Sequence, residues 1–553
     1  MRVGQDNLEF AVPAAPVRHP MVPPPAVPAV VVAPPRRPGA RSSSRQSAWR
    51  VLLHPRSVLV GVLVVQAVLS SRLIWSNTAF EDEALYLWAG HMELAHFVYG
   101  ARIPNFATYF SGAPVIYPII GAIADTYGGL ALARGLSLVF MLGATVLLYG
   151  TTARLFGRRA AIAAAAIFAV LGPVQVLGAF ATYDAMALFL LALASWLVVR
   201  EARGRRGDLL LILAGLVLAV ADATKYATGL WDPVVIALAM LTATRGGWVR
   251  SVLRGVRTAI YVAVPLAVAL FEFGGKSYIR GLLFTTISRK AGGTPVTAPT
   301  VFLDSFNWVG IVFVIALIGV GVSFTQSVRM RLLCGTLTAA ILLAPAEQAR
   351  IHILTSLHKH VAFGAWFAAI VAGYALGKGS EVNPIKGWRV IAAATGVTVF
   401  LAVPIANSMF SVWSNSTQMV ADLKPLLAKG GCPCLIAENN VVNYYLPNTS
   451  YDKFVGTFSF FYWDAEKQKV ENGMTAYTTA IKNHYFKVVE IDPDENPAIY
   501  GPVTSTLRAT SGWVLVAKAK SNAPRKPFEI WRFEPGRVTP ARLRRKAVAG
   551  DRP

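Results

Sequence analysis

The sequence predicts a mainly α-helical, polytopic membrane protein with a small α/β domain at its carboxyl end. Of its 553 residues, 54% are hydrophobic and 15% are charged, and the mean hydropathy is +0.49. A soluble enzyme of this length would carry roughly a quarter charged residues. The net charge of +24 lies largely in short loops between apolar runs, which is the pattern that orients membrane proteins. This placement argues against a nucleic acid as partner.

About eleven apolar runs approach the length of roughly 20 residues that a bilayer requires. They follow residues 1–52, which are rich in proline and arginine, lack an apolar period and are predicted to form a disordered cytoplasmic tail. The runs define a transmembrane domain over residues 53–407. We place them near 57–75, 130–150, 160–178, 184–199, 209–223, 229–243, 257–273, 307–324, 331–345, 360–377 and 390–407.

The loops between these runs alternate in charge. If the N-terminus is cytoplasmic, every inside loop is basic, as in the four arginines from Arg200 to Arg206, whereas the outside loops are longer, more acidic and more aromatic. An odd number of spans then places the C-terminal part outside. The sequence therefore predicts a multi-pass plasma-membrane protein with a cytoplasmic N-terminus and an extracytoplasmic C-terminal domain.

That C-terminal part, residues 408–535, alternates short β-rich runs with helical segments, which predicts a small α/β domain. No Gly-rich phosphate loop accompanies the β-rich runs, so we expect no nucleotide site there. The chain has three cysteines. Cys432 and Cys434 could pair only in a small strained ring, and neither zinc nor redox chemistry is predicted. Residues 536–553 form a basic tail that is predicted to be disordered.

An acidic stretch directly follows the first apolar run and contains Glu81, Asp82 and Glu83. A carboxylate at a membrane boundary can act as a general base toward a hydroxyl nucleophile, because low-dielectric surroundings raise its basicity. The alternative is that these residues only mark where the chain leaves the bilayer. The aromatic residues that follow, from Tyr86 to Tyr117, are also compatible with an interfacial belt.

Further outer loops carry charges that membrane anchoring does not need. Asp184 is the first residue of an apolar run. A carboxylate that faced lipid would cost about 2.5–3.5 kcal/mol at the helix centre, so Asp184 must face protein or water. The alternative is that Asp184 caps the helix that follows. Lys225 lies in a predicted outer loop, where the charge distribution disfavours basic residues, and this indicates that Lys225 binds an anion. Arg350, His358 and Lys359 share the last outer loop. Because arginine and lysine match phosphate well, these loops predict a pocket for a lipid phosphate.

Four motifs, taken in order, resemble those of the GT-C glycosyltransferases. Residues 82–86 (Asp-Glu-Ala-Leu-Tyr) resemble the Asp-Glu-Ala-x-Tyr motif of that family, and residues 133–159 resemble its second span with the cytoplasmic end. Residues 181–184 (Ala-Thr-Tyr-Asp) and 223–226 (Ala-Thr-Lys-Tyr) are similar to its second-loop aspartate and its Thr-Lys-Tyr turn. The resemblance covers residues 57–377. The most similar groups are the dolichyl-phosphate-mannose protein mannosyltransferases and the bacterial aminoarabinose lipid A transferases.

The resemblance implies a GT-C fold and an inverting transfer of a hexosyl or pentosyl group. The implied donor is a polyprenyl-phosphate sugar that enters from the membrane lipids, and the implied acceptor is a hydroxyl on the extracytoplasmic face. That acceptor would belong to an envelope glycan, a lipid or a protein. The C-terminal domain does not resemble the β-trefoil of the eukaryotic protein mannosyltransferases, which counts against a protein.

The resemblance also implies roles for individual residues. Asp82 is the expected general base, and Glu83 would orient it or hold the acceptor. Asp184 would complete the acidic site, with a divalent cation (Mg or Mn) held by Asp184 and Glu83 as an open alternative. The donor phosphate would be bound by Lys225, Arg134, Arg350 and Lys359, and the acceptor or substrate by Tyr86, Tyr117, Tyr226 and His358.

Two other function classes stay open, and so does the identity of the base. A transporter or flippase of lipid-linked saccharide is expected to carry charges at mid-bilayer and repeated halves, and neither is found in the sequence. A membrane-anchored sensor with a ligand-binding outer domain would leave the acidic stretch unexplained. Glu81, which precedes the Asp-Glu motif, is an alternative base to Asp82. The three histidines near 352–360 lack the i, i+4 spacing of a helical zinc pair.

Overall fold

The structure, a computed structural model, describes residues 55–200, 205–243, 247–288, 295–428, 432–449, 451–457, 460–495 and 497–536. These residues belong to one compact unit of the chain, residues 53–553. The predicted N-terminal tail, and the predicted basic tail beyond its first residue, lie outside the described residues.

The part of the chain before residue 410 is built from helices joined by short loops. Each predicted apolar run corresponds to one of these helices or to a pair of them, and the mainly helical fold class is confirmed. The helices are α1 (Pro55–Ile74), α2 (Glu81–Tyr99), α3 (Tyr117–Phe156), α4 (Arg158–Ala169), α5 (Gly172–Leu177), α6 (Tyr183–Val199), α7 (Arg205–Thr224), α8 (Asp232–Leu241), α9 (Gly247–Ala269), α10 (Gly275–Thr286), α11 (Ala298–Ser323), α12 (Val328–Ala339), α13 (Leu343–Arg350), α14 (Leu357–Val382) and α15 (Pro384–Met409).

The helices differ in their capacity to cross a bilayer. Among the described residues, eight helical stretches are long and apolar enough to do so, and Tyr183–Val199 and Tyr226–Leu241 are shorter apolar ones. The predicted count of about eleven is higher because it includes such short segments. The predicted run 160–178, for example, is divided between α4 and α5. Its break falls where Leu171 is extended and Pro173 occupies the first turn of α5, a position that tolerates its missing N–H.

Helix α14 lies at the centre of this bundle. The most apolar stretch of α14 is 94% buried inside the protein. A helix that is apolar all round is expected in such a position. Small residues let its neighbours approach closely. A Cβ atom on Gly373 would lie 2.4 Å from the carbonyl oxygen of Ala160, and one on Gly364 would lie 2.5 Å from that of Ala340. The close packing of α14 fixes the position of Lys359 and His358 in its first turn.

The C-terminal region contains the predicted sheet. Strands β1 (Cys434–Ile436), β2 (Phe454–Val455), β5 (Val488–Ile491), β6 (Trp513–Ala519) and β7 (Phe528–Phe533) form a five-stranded sheet in the order β2-β1-β5-β7-β6. Strand β1 is parallel to β2 and β5, whereas β7 is antiparallel to β5 and β6. Strands β3 (Phe461–Asp464) and β4 (Lys469–Asn472) form a separate hairpin, and Cys432 is disulfide-bonded to Cys434. The accompanying helices are α16 (Thr417–Ala428), α17 (Asn439–Tyr445), α18 (Gly473–Lys482) and α19 (Pro497–Ala509).

The C-terminal region packs directly against the segment that precedes the acidic motif. Helix α17 lies on α2. The hydroxyl of Tyr445 accepts a hydrogen bond of 2.9 Å from the backbone N–H of Ala79, and the Tyr444 hydroxyl donates one of 2.6 Å to Asp125. These contacts hold the start of α2, which carries the acidic motif, between the helical bundle and the sheet region.

Candidate active site

A cavity of about 430 Å³ opens beside the start of α2. Its walls come from the first turn of α2, from the 3-10 segment Tyr226–Trp231, and from the loop between α13 and α14. Six of the predicted site residues line it, so segments that are distant in the sequence meet there. They are Asp82, Tyr86, Lys225, Tyr226, His358 and Lys359.

The acidic stretch forms the N-terminal turn of α2. Glu81, Asp82 and Glu83 all lie in this turn, where the helix dipole and the free backbone N–H groups favour negative charge. The carboxylate of Glu83 accepts a hydrogen bond of 3.0 Å from the backbone N–H of Phe80, just before the helix. Because successive side chains leave a helix in different directions, only Glu81 and Asp82 line the cavity, and Glu83 does not.

Glu83 instead forms a buried ion pair with Arg134. Two parallel bonds of 2.8 and 2.7 Å join the guanidinium to the carboxylate, and both side chains are fully buried. Arg134 also donates to the carbonyl oxygens of Ile74 and Asn77, at 2.6 and 3.0 Å, while Glu83 accepts from the backbone N–H of Ala181 at 2.8 Å. The pair therefore ties α1, α2, α3 and the loop before α6 together behind the cavity.

This geometry does not fit two of the predicted roles. Arg134 does not line the cavity, and its donors are already bonded to Glu83 and to carbonyl oxygens, so it does not reach a donor phosphate. Glu83 is likewise unavailable to an acceptor. Its position is compatible with the other predicted role, that of orienting Asp82. The sequence could not distinguish these cases because both residues are charged and both belong to segments that were predicted to lie outside.

Two further ion pairs lie at the cavity. The Lys359 ammonium is 2.6 Å from Oδ2 of Asp82, and the Lys225 ammonium is 2.9 Å from Oδ1 of Asp184. Asp184 is fully buried behind Lys225 and accepts a hydrogen bond of 2.9 Å from the Thr182 hydroxyl. It lies inside the first turn of α6 and makes no capping bond, so the helix-capping alternative is not supported. Asp184 approaches the cavity through Lys225 and does not line it.

Tyrosines form a hydrogen-bonded wall next to these pairs. The Tyr86 hydroxyl donates to the Tyr183 hydroxyl at 2.7 Å, and that hydroxyl lies 2.6 Å from the Ser111 hydroxyl. The Lys225 ammonium lies 4.6 Å from the centre of the Tyr183 ring, a favourable cation–π distance. Tyr183 was not among the predicted site residues, although it belongs to the motif that carries Asp184. Tyr117 is fully buried and does not line the cavity.

The histidines near the cavity have different environments. His358 lines the cavity, and its Nε2 is buried without a hydrogen-bond partner among the described residues. Nδ1 of His360 lies 3.0 Å from Nε2 of Gln348, and Nδ1 of His352 lies 3.1 Å from the carbonyl oxygen of Val296. His358 therefore presents a buried, unbonded ring nitrogen at the cavity.

The open alternative of a divalent cation at Asp184 and Glu83 does not fit the side-chain contacts. Each of these carboxylates is already ion-paired, one with Lys225 and the other with Arg134. A cation would have to displace a buried ammonium or guanidinium group. Among the described residues, no three His, Cys, Asp or Glu side chains converge in a way that could hold a metal ion.

Glu81 and Arg350 differ in their relation to the cavity, because Glu81 lines it and Arg350 does not. Nδ2 of Asn440, from the C-terminal region, donates to Glu81 at 3.2 Å. Desolvation by the surrounding protein, together with repulsion from Glu495 and Asp82, raises the pKa of the Glu81 carboxyl to about 7. Arg350 is exposed, pairs with Glu347 at 2.5 Å, and does not line the cavity.

Comparisons with known proteins address the fold. Residues 113–271 match a family model described as dolichyl-phosphate-mannose-protein mannosyltransferase. No curated protein sequence matches the chain. The structure of ArnT from Cupriavidus metallidurans in the apo state superimposes with a TM-score of 0.56 at 16% identity, over 88% of this chain and 98% of that one. The chain has the GT-C fold.

Two more structures with the GT-C fold extend this comparison. ArnT from Cupriavidus metallidurans bound to undecaprenyl phosphate gives a TM-score of 0.56 at 14% identity, again over 88% of this chain and 98% of that one. The oligosaccharyltransferase of Archaeoglobus fulgidus in the apo form gives 0.53 at 13% identity, over 84% and 74%. The long coverage shows that the C-terminal region is included in the ArnT similarity.

Proposed function

We propose that this protein is a membrane glycosyltransferase that moves a sugar from a polyprenyl-phosphate donor to a hydroxyl acceptor on the extracytoplasmic face. The observation that carries the proposal is the placement of the Asp82 carboxylate and the Lys225 and Lys359 ammonium groups on one cavity. The similar ArnT structure that is bound to undecaprenyl phosphate, and the family model over residues 113–271, support a lipid-linked donor.

In the proposed reaction, the acceptor hydroxyl oxygen bonds to the anomeric carbon as the bond from that carbon to the phosphate oxygen breaks. Asp82 takes the hydroxyl proton as general base. The bonding electron pair leaves on the phosphate, and Lys225 and Lys359 stabilise the charge that develops there. Attack opposite to the leaving phosphate inverts the anomeric configuration. Tyr86, Tyr226 and His358 are placed to contact the sugar or the acceptor.

Lys359 connects donor binding to the base. Without donor, its ammonium group neutralises Asp82, and a carboxylate bonded to a cation is a weaker base than a free one. The donor phosphate is a diester with one negative charge, and it competes with the Asp82 carboxylate for Lys359. As the bond to the sugar breaks, the phosphate gains a second negative charge and binds Lys359 more strongly, which loosens the ion pair and leaves Asp82 free to take the proton.

The same arrangement supports the proposed orientation in the plasma membrane. Glu81, which lines the cavity, is bonded to Asn440 of the C-terminal region, so the cavity and that region lie on the same side. With a cytoplasmic N-terminus, as the basic inside loops indicate, both are extracytoplasmic. The acceptor is then a component of the cell envelope.

The proposal is tested by a transfer assay in membranes with a panel of polyprenyl-phosphate sugars. With the correct donor, the wild type gives product and Asp82→Asn lowers the rate by about 10²–10⁴-fold, the usual range for a general base. Asp208→Asn is the control, because Asp208 is exposed and pairs with Arg257. A wild type that transfers no sugar from any donor would instead favour a flippase or a sensor.

A further inference from the structure

Gln348, which was not among the predicted site residues, lies in the wall of the cavity. It belongs to the last turn of α13, and its side chain is buried, with 2% of the residue exposed. A side-chain amide donates hydrogen bonds through its two N–H groups and accepts them through its oxygen. The partners of these groups show which of them Gln348 still has to offer to a ligand.

The orientation of the Gln348 amide is fixed by two neighbours. Its Nε2 donates to the carbonyl oxygen of Thr355 at 3.1 Å and lies 3.0 Å from Nδ1 of His360. If the amide were turned over, its oxygen would face the Thr355 carbonyl oxygen with no proton between them, so the hydrogen-bond network assigns the nitrogen to this position. The amide oxygen Oε1 is left buried, and no described residue donates a hydrogen bond to it.

Two other polar groups of the same cavity are in the same condition. The Tyr226 hydroxyl and Nε2 of His358 are buried and have no hydrogen-bond partner among the described residues. A buried polar group without a partner is costly, so native proteins supply one from the protein, from water or from a ligand. An apolar lipid chain would leave all three groups unpaired. A ligand that carries several hydroxyl groups, as a sugar does, can pair with each of them.

Gln348 also lies on the side of the cavity where the sugar of the donor is expected. Through His360, its amide is connected to the first turn of α14, which carries Lys359. Lys359 binds the donor phosphate in the proposed reaction, and the sugar is joined to that phosphate by a single oxygen atom. The hydroxyl groups of the sugar therefore lie beside the turn to which Gln348 is bonded.

We propose that Gln348 is a specificity-determining residue whose amide oxygen accepts a hydrogen bond from one hydroxyl group of the transferred sugar. This inference rests on the proposed function, because it assigns the sugar of the donor to this wall of the cavity. Since an amide oxygen only accepts hydrogen bonds, a sugar must present an O–H group at that position. Replacing this hydroxyl by hydrogen or by fluorine, which does not donate, leaves Oε1 unpaired.

The test measures equilibrium binding to the purified full-length protein in detergent, without an acceptor. The probes are bare polyprenyl phosphate and a panel of polyprenyl-phosphate hexoses and pentoses, followed by monodeoxy and deoxyfluoro analogues of the sugar that binds best. The wild type should bind the deoxy and the deoxyfluoro analogue of the recognised hydroxyl about 5–100-fold more weakly than the parent sugar. A wild type that binds no sugar-carrying lipid more tightly than bare polyprenyl phosphate would overturn the proposal.

Two variants separate the amide oxygen from the bonds that the amide nitrogen makes. Gln348→Met removes both groups, whereas Gln348→Glu keeps an oxygen acceptor and loses the N–H bonds to Thr355 and His360. The measure is the ratio of the affinities for the parent sugar and its deoxy analogue, because a disturbed cavity wall weakens both ligands alike. This ratio should fall to within about twofold of unity in Gln348→Met and stay near the wild-type value in Gln348→Glu.

Equal loss of the ratio in both variants would show that the N–H bonds matter and the oxygen does not, and an unchanged ratio in Gln348→Met would show that Gln348 does not contact the sugar. Either result would overturn the proposal. Gln326→Met is the control, because Gln326 is exposed in the loop after α11, and it should keep the wild-type ratio for every analogue.

Failure of this proposal and failure of the proposed function give different results. A wild type that binds a polyprenyl-phosphate sugar but transfers none in membranes would count against the transferase, and the ratio would still test Gln348. A wild type that transfers sugar, with an unchanged ratio in Gln348→Met, would count against Gln348 alone. An effect of Gln348→Met that is seen only when acceptor is added would place Gln348 at the acceptor and would likewise overturn the proposal.

Discussion

Asp82 and Glu83 are adjacent in the sequence, yet their ion pairs lie in different regions of the molecule. The Glu83–Arg134 pair is fully buried behind the cavity, and backbone groups of three other segments satisfy its remaining donors and acceptors. The Asp82–Lys359 pair faces the cavity, where the Asp82 side chain is 30% exposed. The groups of the Glu83–Arg134 pair are all hydrogen-bonded within the protein, whereas a substrate can replace one partner of the Asp82–Lys359 pair.

The difference shows that an ion pair becomes structural or reactive according to its surroundings. Breaking a fully buried pair leaves an uncompensated charge, which is costly. Breaking a pair at a cavity lets water or a substrate replace the missing partner. Mutations at the two pairs should therefore separate stability from activity, and the following experiments test whether they do.

The largest effect is expected for Arg134→Ala. This change leaves the buried Glu83 carboxylate without its ionic partner and several carbonyl oxygens without a donor, so we expect a loss of about 3–5 kcal/mol in the free energy of unfolding. The protein should accumulate poorly, and the purified remainder should melt early in detergent. Arg257→Ala, which breaks an exposed pair with Asp208, should change stability by less than about 1 kcal/mol. Similar losses in both variants would remove the contrast between buried and exposed pairs.

Lys359→Gln should affect the reaction more than the fold. It leaves Asp82 in contact with the cavity and its water, so the melting temperature should change little. Transfer should fall by about 10²-fold, because one of the two cations that stabilise the leaving phosphate is lost. Lys378→Gln, at the exposed pair with Glu381, is the matched control. Normal transfer in Lys359→Gln would show that Lys359 does not stabilise the phosphate.

A carboxyl in the C-terminal region should make stability depend on pH. Glu490 is fully buried, and its burial raises the pKa of the carboxyl to about 8. The folded state then holds a proton that the unfolded state releases near its ordinary pKa of about 4.3. The contribution of Glu490 is complete below that value and is lost as the pH rises through about 8.

Glu490→Gln should therefore reduce the fall in melting temperature between pH 5 and pH 9 (about 1.4 kcal/mol per pH unit at most for one group). Glu466→Gln, in the turn between β3 and β4, is the control. If the melting temperature of Glu490→Gln fell as steeply with pH as that of the wild type, Glu490 would be ionised in the folded protein.

The smallest effect is expected for His358→Phe. The ring keeps its contact with Trp308, but the substrate loses a hydrogen-bond partner, which is worth about 1 kcal/mol. We expect KM for the donor or the acceptor to rise by about fivefold, with little change in stability. His91→Phe, outside the cavity lining, should leave KM unchanged. An unaltered KM in His358→Phe would show that this ring nitrogen does not bind substrate.

The sequence predicted the helical fold and the loops that meet at the cavity, because hydrophobic length and loop charge are local properties. Asp82, Lys225 and Lys359 were found in this way. The direction in which a side chain leaves a helix depends on tertiary packing. For this reason Arg134 was predicted to bind phosphate, although it pairs with Glu83.

Other parts of the site gave weaker signals in the sequence. Tyr183 lies inside a recognised motif, but the charged residue beside it, Asp184, was predicted as the site residue instead. Asn440 reaches Glu81 only because the C-terminal region packs against α2, a contact between segments more than 350 residues apart.

The central claim is that the base and the phosphate-binding cations share one cavity. The most direct test is an experimental structure of the full-length protein with a polyprenyl phosphate bound. We predict the phosphate within ion-pair distance, about 4 Å, of both the Lys225 and Lys359 ammonium groups, with Asp82 facing the space where the sugar would lie. A phosphate bound away from both lysines, or at the cytoplasmic end of the bundle, would contradict it.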